Sequence, residues 1–225
     1  MRSIYRYIRH RLIELYKSVD KNIIYNFSSC KQSTFACFDS FFQNFNEQWQ
    51  YVICKSEGKM NKNFPKTFII PSELDIIVLP SEMEACVNNV ESLFQNIFLK
   101  GYQVQKRMIS EQHVGIVLYC HHKEILYFDI QTTHDLFLSE KFNDICIMER
   151  ILAENDHYYI CLPKYDLLIR ALEYIKYNHK YWHRDYIKKH INDYDETALN
   201  WAIEDDFIRG KVKQLMNEIN ESKCL

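Results

Sequence analysis

The sequence predicts an α/β (α+β) fold, in which a small mixed β-sheet is flanked by helices and followed by a helical C-terminal part. Two observations predict this fold class. Short runs rich in Ile, Val, Leu and aromatic residues recur between residues 50 and 131, as in strands. Apolar residues then recur at every third or fourth position from Met83, and again after Pro163, as in helices that pack through one face.

The composition excludes several classes of protein. The chain has 225 residues, enough for one compact domain with its own hydrophobic core. Its net charge of −2 gives no overall attraction to nucleic acid. With four glycines, neither a dinucleotide-binding fingerprint nor a P-loop can be assembled. No apolar run is long enough to span a bilayer and no signal-peptide pattern is found, so a cytoplasmic protein is expected.

The eight cysteines are scattered and include no C-x-x-C pair, as expected of reduced thiols in a core. Cys120, His121 and His122 stand together, but Lys123 and Glu124 follow at once. This pattern favours a polar hairpin turn over a zinc site.

Residues 1–48 are predicted to form N-terminal helices that pack on the core. Residues 2–17 combine apolar residues at helical spacing with arginines, which predicts a basic amphipathic helix. Docking of that helix on an anionic membrane surface is the alternative. Residues 38–48 predict a second helix, which leads into a strand at residues 50–54 and then a polar loop.

Residues 49–162 are predicted to form the α/β domain. Within it, residues 71–80 (PSELDIIVLP) read as a strand, and Ser81 with Glu84 predicts a capping box that opens an amphipathic helix. That helix is expected to end near Gly101. Three further strands are predicted at residues 102–108, 113–120 and 125–131, with a tight connection between the last two.

Residues 163–225 are predicted to be a helical region, with Pro163 in the first turn of its first helix. The H-R-D sequence at residues 183–185 matches the catalytic loop of protein kinases, but His190 stands where a kinase requires Asn. The basic and aromatic residues around it favour a solvated helical face, and a surface for nucleic acid or another polyanion is the alternative.

Three acids inside apolar strands point to a metal site. Glu73 and Asp75 are one residue apart, so in a strand their side chains would share one face while Leu74 and Ile76 pack on the other. Asp129 lies in a similar apolar run. If the two strands are neighbours, the three carboxylates would converge and suit Mg²⁺ or Mn²⁺. Such a site would support nucleotidyl transfer from a nucleoside triphosphate. An edge strand with solvent-facing acids is the alternative.

The order of these segments resembles a known superfamily. The strand ELDIIV, a helix, a Gly-Tyr pair, further strands and the Asp of ILYFDIQ resemble the nucleotidyltransferases with the DNA polymerase β-type palm. Across residues 48–180, the chain is similar to nucleotidyltransferase-like proteins of bacterial capsule and lipopolysaccharide gene clusters. The resemblance implies a nucleotidyltransferase-like fold that acts on an NTP and a small-molecule or glycan acceptor in envelope polysaccharide synthesis.

Carried over by position, the resemblance implies that Glu73 and Asp75 are the metal pair and that Asp129 is the third carboxylate, which helps deprotonate the acceptor hydroxyl. It places nucleotide binding at Lys55, Ser56 and Ser72. His113 is a candidate for orienting a phosphate, with an ordinary surface histidine as the alternative.

Two departures from the family pattern leave other functions open. The first acid is Glu rather than Asp, and the glycine-serine turn is replaced by Lys55 and Ser56. A protein that keeps the fold but not the reaction is one alternative. A toxin-like enzyme that modifies RNA or protein, with the basic C-terminal helices as its platform, is another.

Overall fold

The computed structural model describes residues 42–56, 72–97, 102–120, 123–133, 137–153, 158–177 and 180–223. In these ranges the chain forms one seven-stranded sheet and seven helices, which confirms the predicted mixed α/β class. The predicted helix at residues 2–17 lies outside the described residues. No helix within the described ranges is both long enough and apolar enough to cross a bilayer.

The elements follow one another in a simple order. The helical residues 42–48 (α1) precede the strands β1 (Tyr51–Cys54) and β2 (Ser72–Val78), and then the helix α2 (Met83–Ile97). Next come β3 (Tyr102–Ser110), β4 (His113–Cys120), β5 (Lys123–Gln131), the helix α3 (Phe142–Met148), β6 (Ile151–Leu152) and β7 (Tyr159–Ile160). The chain ends in the helices α4 (Pro163–Lys176), α5 (Tyr181–His190), α6 (Glu196–Ala202) and α7 (Asp206–Lys223).

The sheet is mixed, with the strand order β3-β4-β5-β2-β1-β7-β6. β5 follows β4 as an antiparallel neighbour and then pairs in parallel with β2. This pairing confirms that the strand carrying Asp129 lies beside the strand carrying Glu73 and Asp75. β1 is antiparallel to β2 and parallel to β7.

Each face of the sheet is covered by a different group of helices. One core contains alternate strand residues such as Ile53, Ile76 and Phe128, together with the apolar sides of α1 and α2. The opposite core contains Val52 and Ile77 with the helices from α3 to α7. The helices that follow residue 162 therefore share a core with the sheet, and the predicted domain boundary at that point stays a prediction.

Some of the local features predicted from the sequence are present in the structure, and one is not. Ser81 lies inside a 3-10 turn, Pro80–Glu82, so the predicted capping box is wrong and α2 begins only at Met83. Pro163 does occupy the first turn of α4, as predicted. The two-residue strands β6 and β7 have no sequence signal. Among the described residues the free cysteines are buried, as expected of core thiols: Cys54, Cys86, Cys146 and Cys161.

Candidate metal centre

Three carboxylates meet where β2 and β5 run side by side. In the parallel register, Asp75 is directly opposite Asp129 and Glu73 is opposite Tyr127. Because alternate residues of a strand share a face, Glu73, Asp75 and Asp129 all project from the side covered by the C-terminal helices. One carboxylate oxygen from each lies within 4.8 Å of the others. The structure therefore brings together the three acids that the sequence singles out.

The three acids of the cluster differ in how deeply they are buried. Glu73 is exposed and Asp129 is half-buried, whereas Asp75 is 1% exposed. Three negative charges this close repel each other, and a divalent cation bound to hard oxygen ligands would remove that repulsion.

Asp75 is held by a buried ion pair that the sequence did not reveal. Lys55 Nζ lies 2.7 Å from Asp75 Oδ1 and 2.7 Å from Glu173 Oε1 on α4. His183 Nε2 lies 3.1 Å from the other oxygen of Glu173. Burial alone would lower the pKa of Lys55, but Asp75 and Glu173 outweigh it and raise that pKa above its usual value. The ammonium group therefore stays charged between the two carboxylates.

The backbone at Lys55 is itself unusual. Its φ angle of 54° lies in the left-handed region, which costs a non-glycine residue about 1–2 kcal/mol. The Lys55 N–H donates to Asp166 Oδ1 at 2.6 Å, and Arg170 Nε donates to the second Asp166 oxygen at 3.1 Å. The Arg170 guanidinium also lies 4.0 Å from the centre of the Tyr186 ring. These contacts with α4 and α5 hold the end of β1 in its strained conformation.

Asp129 is fixed by two partners on its own side of the sheet. His113 Nε2 lies 2.5 Å from Asp129 Oδ1, and the Tyr127 hydroxyl donates to the same oxygen at 3.0 Å. Burial raises the pKa of Tyr127, and Asp129 raises it further, so the phenol keeps its proton and remains a donor. Both contacts engage Oδ1, and the structure thereby assigns His113 a carboxylate partner.

Tyr127 can approach Asp129 because the neighbouring strand carries a glycine. A Cβ atom at Gly115 would lie 2.4 Å from Tyr127 Cε2 and 2.6 Å from its hydroxyl oxygen. No real Cβ contact is that short, so any side chain at position 115 must displace the phenol ring. Gly115 thus gives the ring the space that its hydrogen bond to Asp129 requires.

We expect Gly115→Ala to destabilise the protein by about 1–3 kcal/mol, the usual cost of overpacking, and to release Tyr127 from Asp129. Chemical denaturation would measure the change in the free energy of unfolding. Gly210→Ala is the matched control, because a Cβ there meets no atom within 4 Å. Because Gly210 lies within the helix α7, that control should stabilise the protein by up to about 1 kcal/mol. Equal effects of both changes would contradict the packing argument.

Of the predicted nucleotide-binding residues, only Lys55 has a described contact with the acid cluster. Lys55 contacts Asp75 and Glu173 as described, and Ser56 follows it in a half-buried position. Ser72 opens β2, one residue before Glu73. Sequence reasoning missed the roles of Tyr127, Glu173 and His183. His183 belongs to the H-R-D triplet, and in the structure it is buried on α5 against Glu173.

Comparison with known proteins adds two distant likenesses in structure. No protein-family model matches the chain, and no curated protein matches it. An antigenic nucleotidyltransferase-like protein from Paracoccidioides brasiliensis has a similar structure at a TM-score of 0.42 and 8% sequence identity, covering 86% of this chain and 92% of that protein. The Megavirus polyadenylate synthase matches at a TM-score of 0.32 and 10% identity. That match covers 84% of this chain and 36% of the synthase. Both TM-scores are too low to assign a function to this chain.

Proposed function

We propose that the protein is a metal-dependent nucleotidyltransferase, which transfers a nucleotidyl group from an NTP to a hydroxyl or phosphate acceptor. The observation that carries this proposal is the convergence of Glu73, Asp75 and Asp129, with ligand oxygens within 4.8 Å, on two adjacent parallel strands. Lys55 neutralises one of the three acids, and a divalent cation would compensate the remaining negative charge and act on a bound substrate.

The residues present fit Mg²⁺ or Mn²⁺. All three donors are carboxylate oxygens, which are the hard ligands that these ions prefer over thiolate or imidazole. Glu73, Asp75 and Asp129 would hold the ion. When bound, it would neutralise charge on the triphosphate and lower the pKa of an acceptor hydroxyl.

The protein's own side chains would transfer the proton and hold the metal ligands in position. Asp129 would accept the proton of the acceptor hydroxyl through its carboxylate. His113 and Tyr127 fix one oxygen of that carboxylate and so orient the other. Lys55 and Glu173 keep Asp75 in place at the buried end.

Nucleotide binding by Lys55, Ser56 and Ser72 remains part of the proposal. Two carboxylates each lie 2.7 Å from Lys55 Nζ, so a phosphate contact would use the third N–H of the ammonium group. The resemblance to envelope-polysaccharide proteins supports a sugar or glycan as the acceptor.

A second candidate function is an interaction protein that keeps this fold without the reaction. The ion pair between Lys55 and Asp75 favours it, because the ammonium already neutralises one of the three acids. In that case the cluster would be a structural ion-pair network rather than a cation site.

Titration calorimetry with ATP, CTP, GTP and UTP, each with and without Mg²⁺, separates the two candidates. We expect at least one NTP to bind more tightly with Mg²⁺ present, because the triphosphate would share the ion with the acid cluster. Incubation with labelled NTPs and a cell extract would then show whether the label reaches a sugar, an RNA or a protein. Absence of binding by all four nucleotides would favour the interaction protein.

A further inference from the structure

A group of basic and aromatic side chains lies exposed at the end of α4, beside the start of α5 and on α5 itself. Tyr177, Tyr181 and Trp182 are 41%, 50% and 48% exposed, which is high for large rings. Five exposed cations accompany them on the described residues of this surface, which we call the α4–α5 surface: Lys176, Lys180, Arg184, Lys188 and Lys189.

The cations and rings are interleaved rather than separated. Lys180 Nζ lies 5.2 Å from the centre of the Tyr177 ring and 5.4 Å from that of Trp182. Tyr181 and Trp182 meet edge to face, with their centroids 5.3 Å apart. Flat rings beside cations form a platform on which unpaired bases can stack while the cations meet the phosphates.

The helix α5 buries only its opposite side. His183 and Ile187 point into the core, whereas Arg184, Lys188 and Lys189 face solvent. One acid, Asp185, shares the exposed face. The charge excess here contrasts with the net charge of −2 for the whole chain, so the attraction for a polyanion is local.

We propose that the α4–α5 surface binds single-stranded nucleic acid, with the aromatic rings stacking on bases and the lysines contacting phosphates. A lipid surface fits less well, because the exposed residues of α5 include no aliphatic side chain to insert among acyl chains. Lys176 lies one helical turn beyond Glu173, which reaches Lys55 at the acid cluster.

Fluorescence anisotropy with a labelled oligo(U) of roughly 12 nucleotides tests this surface. We expect Trp182→Ala to weaken binding by about tenfold, the typical loss of one stacking contact. Lys180→Ala combined with Lys188→Ala should weaken binding and reduce the slope of log K against log salt by about 0.7 for each lysine. Asp185→Asn should strengthen binding, since it removes the one acid of the exposed face.

Lys211→Ala is the matched control, because it removes an exposed lysine that also lies over an aromatic ring, Phe207, but on α7. It should leave the affinity unchanged. Each measurement is made without NTP and repeated with Asp75→Asn, so that a failure of nucleotidyl transfer does not affect the result. Equal binding by wild type and Trp182→Ala would overturn the proposal. Cosedimentation with phosphatidylserine vesicles in the absence of oligo(U) binding would overturn it as well.

Discussion

Asp75→Asn is expected to lower Mg²⁺-dependent nucleotide turnover by roughly a thousandfold, because a metal ligand contributes several kcal/mol to stabilising the transition state. Asparagine keeps the size of the side chain but loses the charge that attracts a cation. Lys55 retains its second partner, Glu173, at 2.7 Å, so the variant should still fold. Turnover of labelled NTP and calorimetric titration with Mn²⁺ would measure the two effects.

Glu84→Gln is the matched control for this change. Glu84 is an exposed acid on α2, the helix that covers the opposite face of the sheet. Its loss removes one negative charge without touching the cluster, so turnover and Mn²⁺ affinity should match those of the wild type. If Asp75→Asn also kept wild-type turnover, Asp75 would not be a ligand for a catalytic ion.

Lys55→Met is expected to destabilise the protein by about 3–5 kcal/mol, the usual result of removing one partner from a buried ion pair. Asp75 is 1% exposed and would be left near Glu173 and Asp129 without the ammonium between them. Methionine has a similar length and meets the same penalty at a φ of 54°, so backbone strain does not contribute to the difference. Urea denaturation would measure the change.

Two further measurements test whether the loss of stability in Lys55→Met comes from the acid cluster. Lys164→Met removes a surface lysine that lies 3.3 Å from Glu149, and it should cost less than about 1 kcal/mol, as exposed pairs do. Mn²⁺ should raise the melting temperature of Lys55→Met more than that of the wild type, because the ion can replace the missing charge. A Lys55 variant as stable as the wild type would show that the pair contributes no net stability.

The fold class and the acid cluster could be predicted from the sequence for a physical reason. A charged side chain inside an apolar strand is costly, so such residues are uncommon there. Glu73, Asp75 and Asp129 can therefore be recognised in the sequence as candidates for a functional site. The alternation of side chains in a strand then places the first two on one face. Only the pairing of β2 with β5 remained an assumption, and the structure confirms it.

The residues that contact the acids were harder to predict from the sequence, because they come from distant parts of the chain. Glu173 lies 118 residues from Lys55 and resembles an ordinary acid on an amphipathic helix. His113 had a usable signal, since the hairpin of β4 and β5 pairs it with Gln131, two residues from Asp129. Tyr127 was not singled out from the sequence, because its space beside Asp129 depends on Gly115 in the adjacent strand.

The parallel pairing of β2 with β5 also affects how the protein folds. A helix and two strands separate these partners along the chain, so closing that loop is a slow, nonlocal step compared with forming the β4–β5 hairpin. A nascent chain that ends before β5 would contain Glu73 and Asp75 but no third carboxylate. Capacity to chelate a divalent ion should therefore emerge late in refolding, together with the long-range contacts, and would serve as a kinetic probe of their formation.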